Sequence, residues 1–341
     1  MPELLLLIAF VVFLALVFDF INGFHDTANA IAASVSTGVL TPRRAILMAA
    51  VLNFLGALAG TEVAKTIGKG IIDTKIIESG AVSGQWVVVA ALVSAITWNL
   101  LTWWWGLPSS SSHAIIGGLI GSAVAGFGWA KLHWLGVERI FVFLVLSPLI
   151  GGLVAFSIML LLMWVFRSAL PSTVTNMFRP LQILAAGFMS FSHGTNDAQK
   201  AMGIITLALF SGGLLDPARG FEVPMWVKLA AASAMALGTS AGGWKIIKTM
   251  GTRIVKLQPI NGFASDTAAA LTITTASQFG LPVSTTHVVS GAIMGVGATK
   301  RVSAVRWGVA GNMVLAWVFT IPITSSLAAF IYWVLRWALK F

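Results

Sequence analysis

The stretch that decides the fold is Gly106-Leu107-Pro108-Ser109-Ser110-Ser111-Ser112-His113, because it returns as Gly280-Leu281-Pro282-Val283-Ser284-Thr285-Thr286-His287. Both copies interrupt apolar sequence. Proline stops one helix, and the Ser/Thr run supplies N-cap side chains for the next. A helix start exposes unpaired backbone N–H groups and the positive end of its dipole. With hydroxyls beside them, each break forms a donor-rich cup that suits a tetrahedral oxyanion.

The repeat extends outward. Asn22-Gly23-Phe24-His25-Asp26-Thr27-Ala28-Asn29 aligns with His193-Gly194-Thr195-Asn196-Asp197-Ala198-Gln199-Lys200 at an offset of 171, close to the 174 of the first pair. Lys65-Thr66-Ile67-Gly68 returns as Lys248-Thr249-Met250-Gly251. The chain therefore reads as two halves, 1–166 and 180–341, joined by a polar linker, 167–179.

Composition sets the solvent. Of 341 residues, 57% are hydrophobic and 9% charged, against about 25% charged in a soluble domain. That excludes a soluble enzyme, a disordered chain and a disulfide scaffold, and it points to a polytopic membrane protein. The absence of cysteine removes thiolate metal sites. The net charge of +10 fits basic loops rather than nucleic acid. The 14 tryptophans suit interfacial anchors. Leu4–Phe18 lacks a basic flank before it and a small-residue cleavage site after it, so it reads as a retained first helix.

Twelve apolar stretches follow one another, and those at 28–40, 112–128, 180–192, 197–213 and 286–298 are too short to cross alone. Each touches a Gly-, Ser-, Asn- or Asp-rich break, and non-helical backbone at membrane depth survives only inside protein or beside a wet cavity. The expected fold is all-α, with ten to twelve membrane segments in two inverted repeats carrying broken helices and re-entrant hairpins. Charge favours inversion. The loop at 62–80 is balanced, whereas its counterpart at 245–258 carries Lys245, Lys248, Arg253 and Lys256 without an acid. With the N-terminus outside, the inside loops hold 11 basic residues and no acidic ones, the outside 9 basic and 7 acidic.

Five charges fall inside apolar segments or at their breaks: Asp19, Asp26, Asp197, Lys200 and Asp266. A charge at the bilayer centre costs about 2.5–3.5 kcal/mol on insertion scales, so each is read as functional. Asp26 and Asn29 share a helix face by i, i+3 spacing, as do Asp197 and Lys200. Carboxylate, amide and freed carbonyl oxygens suit Na⁺ or a proton, although Asp197 and Lys200 also make a self-neutralising pair. A carboxylate about 6 Å from a phosphate charge repels it by about 3 kcal/mol at an effective dielectric of ~20. The anion enters only once the carboxylates are neutralised, so the pattern suggests symport. His25, His113, His193 and His287 beside the four breaks are proton-carrier candidates. A Ser-His-Asp hydrolase fits poorly: Ser112 and His113, adjacent on a helix start, point about 100° apart. No nucleotide-binding loop is present, because Lys200 follows Gln199.

These motifs resemble the PiT family of inorganic phosphate transporters. The family's twice-repeated Gly-x-Asn-Asp signature is matched by Gly23–Ala30 and by Gly194-Thr195-Asn196-Asp197, and its Gly-Leu-Pro-x-Ser-x-Thr-His element by 106–113 and 280–287. Nearly the whole chain is covered. The resemblance implies cation-coupled phosphate uptake by a multi-pass protein of the cell membrane, without catalysis or cofactor. It assigns phosphate to Asp26, Asn29, Ser110, Ser111, Ser112, Asp197, Lys200, Ser284, Thr285 and Thr286. It assigns cation coupling to Asn22, His25, Asp26, Asn196, Asp197 and Asp266, with Na⁺ at Asp26, Asn29 and Asp197. The partners are phosphate, free or as metal–phosphate, the lipid bilayer and a second copy in a homodimer, with no nucleic acid. His25 stands where many members have Asn, as in bacterial low-affinity transporters thought to be proton-coupled. Ser112 replaces Thr, Asp266 replaces the more usual Glu, and the linker is too short for the large loop of some relatives. The alternative is a permease for another tetrahedral oxyanion such as sulfate.

Overall fold

The computed structural model describes residues 2–71, 81–216, 218 and 220–341, and every regular element among them is helical. The first half consists of α1 (Pro2–Ser36), α2 (Pro42–Ala57), α3 (Glu62–Gly70), α4 (Ala81–Trp105), α5 (Ser111–Phe127) and α6 (Trp134–Val165). The second consists of α7 (Pro171–Ser211), α8 (Met225–Ala241), α9 (Trp244–Lys248, continued by a π turn at Thr249–Arg253), α10 (Pro259–Gln278), α11 (Thr285–Ala298) and α12 (Trp307–Leu339). The same order thus occurs twice: long helix, broken span, helix, short helix, long helix. Helices α2 and α3 meet at 69°. The residues 72–80 of the charge-balanced loop lie outside the described residues.

The halves exchange partners. Helix α1 packs on α8 while its counterpart α7 packs on α2; α5 packs on α12 while α11 packs on α6. Equivalent helices α1 and α7 run antiparallel. Thr37 donates to Gln182 Oε1 at 2.9 Å near one end, Asp26 meets Asp197 in the middle, and Ile8 lies against Gly212 at the other end. This arrangement is compatible with inverted repeats.

Helices α1, α4, α6 and α12 are each long and apolar enough to cross a bilayer, and the bent pair α2–α3 adds a fifth span. Helix α7, at 41 residues, is also long enough, but its centre is polar and buried. Leu153, Trp164, Val318, Trp333 and Trp337 point outward from α6 and α12, where only lipid suits them. Two apolar cores form. One holds the beginning of α1 with α4, α5 and the end of α7; the other holds the end of α1 with α6, α10 and α11. The polar turns of α1 and α7 lie between them.

Two expectations are corrected. No break occurs at 22–29 or 193–200, because α1 and α7 run through both motifs. The glycines serve close approach instead: a Cβ on Gly23 would strike the Met235 carbonyl oxygen, and one on Gly194 the Asn53 carbonyl oxygen. The stretches 4–20 and 28–40 are thus one helix, and 180–192 and 197–213 another, which leaves ten membrane elements. No carbonyls are freed beside the aspartates. In addition, residues 171–179 of the expected linker are the first turns of α7, which starts at Pro171 because proline lacks only an N–H that a first turn leaves unpaired.

The breaks before α5 and α11 form as expected. Gly106 and Gly280 take φ of +67° and +65°, the left-handed turn that ends the preceding helix. Ser110 and Ser284 then cap, accepting from the backbone N–H of His113 at 3.1 Å and of His287 at 3.3 Å.

Candidate functional site

The two cups face the two aspartate motifs at mid-molecule. Asp26, 1% exposed, is the hub. Ser111 donates to its Oδ2 at 2.8 Å and Thr286 to its Oδ1 at 3.1 Å, so one carboxylate joins a hydroxyl from each half. Lys200 Nζ donates to Ser111 at 2.9 Å and Asn29 Nδ2 to Thr286 at 2.9 Å. The result is a chain from Lys200 through Ser111, Asp26 and Thr286 to Asn29.

Asp197 repeats the pattern with looser hydroxyl contact. Thr285 donates to its Oδ2 at 3.4 Å, as Ser111 does to Asp26. Asn196 Nδ2 donates to its Oδ1 at 2.8 Å, where His25 Nδ1 sits 2.9 Å from Asp26 Oδ1. The difference lies in charge. Lys200 pairs with Asp197 at 2.7 Å, both buried, so the self-neutralising pair does form, and the same ammonium also reaches Ser111. Asp26 has no lysine or arginine partner among the described residues.

The expected residues are not equivalent in place. Ser110 and Ser284 are spent on capping. Ser112 donates to the Val283 carbonyl at 3.1 Å and so ties one cup to the backbone of the other. Asn196 also donates to that carbonyl at 3.2 Å. Asn22 is fully buried and bonds to none of these groups. Asp266 lies apart: Ser277 of α10 reaches Asn196 at 3.3 Å, and Asp266 is eleven residues earlier, about 16 Å along the helix.

The histidines divide likewise. His25 Nε2 lies 3.2 Å from Thr102, and His193 Nε2 approaches Asp197 to 3.7 Å. His113 and His287 sit behind the caps, rings edge to face at 4.4 Å, with His287 stacked on Trp317 at 4.0 Å. They touch neither aspartate. One atom each of Asp26, His193 and Asp197 lies within 4.8 Å of the others, a donor set able to hold a small cation.

Sequence reasoning missed Thr102, Asn53 and Asn99. Asn53 holds His193 Nδ1 at 3.1 Å, and Thr239 holds Asn53 at 3.0 Å. The available signal was a lone amide inside an otherwise apolar span, at 53 and at 99.

A multi-pass helical protein with a buried polar centre built by both halves, containing hydroxyls, an ion pair and a second acid beside an imidazole, belongs to the membrane transporters rather than the enzymes. The chain matches the phosphate transporter family over residues 22–328 and is a member of it. It is 51% identical to a Bacillus subtilis (strain 168) protein described as "Probable low-affinity inorganic phosphate transporter", over 98% of this chain and 99% of that one. A Rhizobium meliloti (strain 1021) protein of the same description is 50% identical, over 93% of each chain. A solved structure, "The sodium-dependent phosphate transporter", superposes with a TM-score of 0.89 at 29% identity, covering 97% of this chain and 99% of that one.

Proposed function

We propose that this chain is a secondary active transporter that carries inorganic phosphate in symport with a cation, H⁺ or Na⁺, across the cell membrane. The observation that carries this reading is the Lys200–Ser111–Asp26–Thr286–Asn29 chain, in which every member except Asp26 is a donor that phosphate oxygens could take over. Phosphate replaces the carboxylate as their acceptor. Asp26 must then carry a proton or face a cation, because its charge beside the anion is repulsive by about 3 kcal/mol at 6 Å. Asp197 needs no such help while Lys200 neutralises it. The phosphate residues are Asp26, Asn29, Ser111, Thr285, Thr286, Asp197 and Lys200. Ser110, Ser112 and Ser284 hold the cups in shape. His25, Asn196, Asp26 and Asp197 form the cation side, and Na⁺ would take Asp26 and Asp197 with Asn29.

The two repeats, 1–166 and 171–341 once the first turns of α7 are included, each supply one cup and one acid. The carried species is free phosphate or a metal–phosphate, no cofactor is used, and the functional unit is one chain or a homodimer. Phosphate at neutral pH carries an O–H that can donate to an ionised carboxylate such as Asp197, and sulfate does not; this favours phosphate over sulfate. The test is labelled-phosphate uptake into proteoliposomes under imposed proton or sodium gradients, with excess sulfate as competitor. Asp26→Asn and Asp197→Asn should insert normally and abolish uptake. Wild-type uptake in both variants would overturn the assignment, and equal competition by sulfate would overturn the substrate.

A further inference from the structure

Two buried acids, Asp19 and Asp266, remain without a role, and of these Asp19 alone has both carboxylate oxygens buried and unsatisfied. Asp19 lies on α1, wholly buried; the side chain nearest to bonding its carboxylate is Asn22, one turn on, and no group among the described residues meets either oxygen in full hydrogen-bond geometry. Asn22 and Asn99 are also wholly buried; apart from that approach of Asn22 to Asp19, neither amide has a hydrogen-bond partner among those residues. Buried polar groups are almost always bonded, so three such side chains together need an explanation.

The three converge. Asp19 and Asn22 are i, i+3 on α1, and His25 is one step further along the same face. His25 meets Thr102 of α4 at 3.2 Å. Helices α1 and α4 run parallel and in register: Ile8 and Gln85 both meet the end of α7, at Gly212 and Ser211, with the same separation of 77 as His25 and Thr102. Asn99, three residues before Thr102, therefore lies level with Asn22, three residues before His25, across the same interface. Asp19 is about 10 Å along the axis from Asp26, clear of the cups.

The surroundings supply one counter-charge, Lys200, and Asp197 shares it. Helix α4 contains no charged residue. On α8, which meets α1 at Phe20 and Gly238, Lys228 is the single charged residue and lies ten positions away. On α9, Lys245 and Lys248 are exposed beyond Phe24. On α7, Asp197 and Lys200 act on Asp19 through space, but they already neutralise each other. The second half offers no equivalent either. Ser190, His193 and Ile273 occupy the corresponding positions, so this feature belongs to one half of the two-fold frame.

We propose that Asp19, Asn22 and Asn99 form a site for one co-transported positive charge, separate from the phosphate cups. It takes a proton on the carboxylate or a sodium ion among the two carboxylate and two amide oxygens. The inference rests on the symport reading. Asp26 and Asp19 are then the two acids that must be neutralised, one facing the anion and one along α1 from it.

The test separates coupling from binding. Wild type, Asp19→Asn and Asn99→Ala are reconstituted in proteoliposomes, and labelled phosphate is followed in two ways: uptake driven by a proton or a sodium gradient, and exchange at equal ion concentration on both sides. The gradient that drives wild type names the carried charge. Asp19→Asn should lower driven uptake about ten-fold while exchange stays within about three-fold, with Asn99→Ala lowering the same ratio less. Driven uptake at the wild-type level in Asp19→Asn overturns the proposal. So does an equal loss of uptake and exchange in both variants. Wild-type uptake indifferent to both gradients removes the symport reading, and this site with it; the other two results remove the site alone.

Discussion

Beside Asp26 the first half places His25 where the second half places Asn196 beside Asp197. His25 Nδ1 and Asn196 Nδ2 hold their neighbouring aspartates at 2.9 and 2.8 Å, so the two side chains are geometric equivalents. They differ in that an imidazole ring can carry a proton and an amide cannot. His25→Asn should therefore keep the bond to Asp26 and keep phosphate exchange while lowering uptake driven by a proton gradient; proton-driven uptake at the wild-type level would show that His25 moves no proton. Lys200 and Asp197 allow a second test. Breaking a buried pair leaves a lone charge and costs about 3–5 kcal/mol. Lys200→Met should lower the thermal stability of the purified protein by that order. Asp197→Asn combined with it should restore part of the loss, because the orphaned carboxylate is gone. Strict additivity in this cycle would mean that the two groups do not interact.

Helix against helix, the fold depends on close approach more than on apolar bulk. At the α5–α12 crossing, a Cβ on Gly121 would strike the Ser325 carbonyl, whereas Gly311 on α12 meets nothing within 4 Å. Gly121→Ala should cost about 1–3 kcal/mol of stability by overpacking. Gly311→Ala should be neutral or gain up to about 1 kcal/mol of helix propensity. Thermal unfolding of the two variants in one detergent reads the contrast, and equal effects would contradict the packing described. The same distinction explains what the sequence could reveal. The cups before α5 and α11 were legible because proline, a left-handed glycine and a capping serine act locally. The continuity of α1 and α7 was not, because Gly23 and Gly194 look like breaks until Met235 and Asn53 are seen against them. Asp26 and Asp197 were legible as lone charges in apolar sequence. Thr102 and Asn53 were hidden because an isolated polar residue in a helix does not say which neighbour it will meet.

For the whole molecule, the decisive relation is direction. Helices α1 and α7 carry matching motifs yet run antiparallel, with Thr37 beside Gln182 and Ile8 beside Gly212. If both cross the membrane, the segments that follow them must emerge on opposite sides. The segment after α1 contains Thr41, and the segment after α7 contains Leu214, both exposed. The native chain has no cysteine, so a single one can be introduced at either place without background. A membrane-impermeant maleimide should label Thr41→Cys from one face only and Leu214→Cys from the other only, in sealed vesicles of known orientation. The basic loops put Thr41 on the inner face, since Arg43 and Arg44 adjoin it. Parallel repeats would give both labels on one face. In that case the helix starts at Ser111 and Thr285 would be related by an axis along the membrane normal, and both cups would open toward the same side. The antiparallel result is the one that lets a single anion be held from above and below, with Ser111 and Thr286 converging on it from opposite halves, and lets the site face each side of the membrane in turn by rocking one repeat against the other.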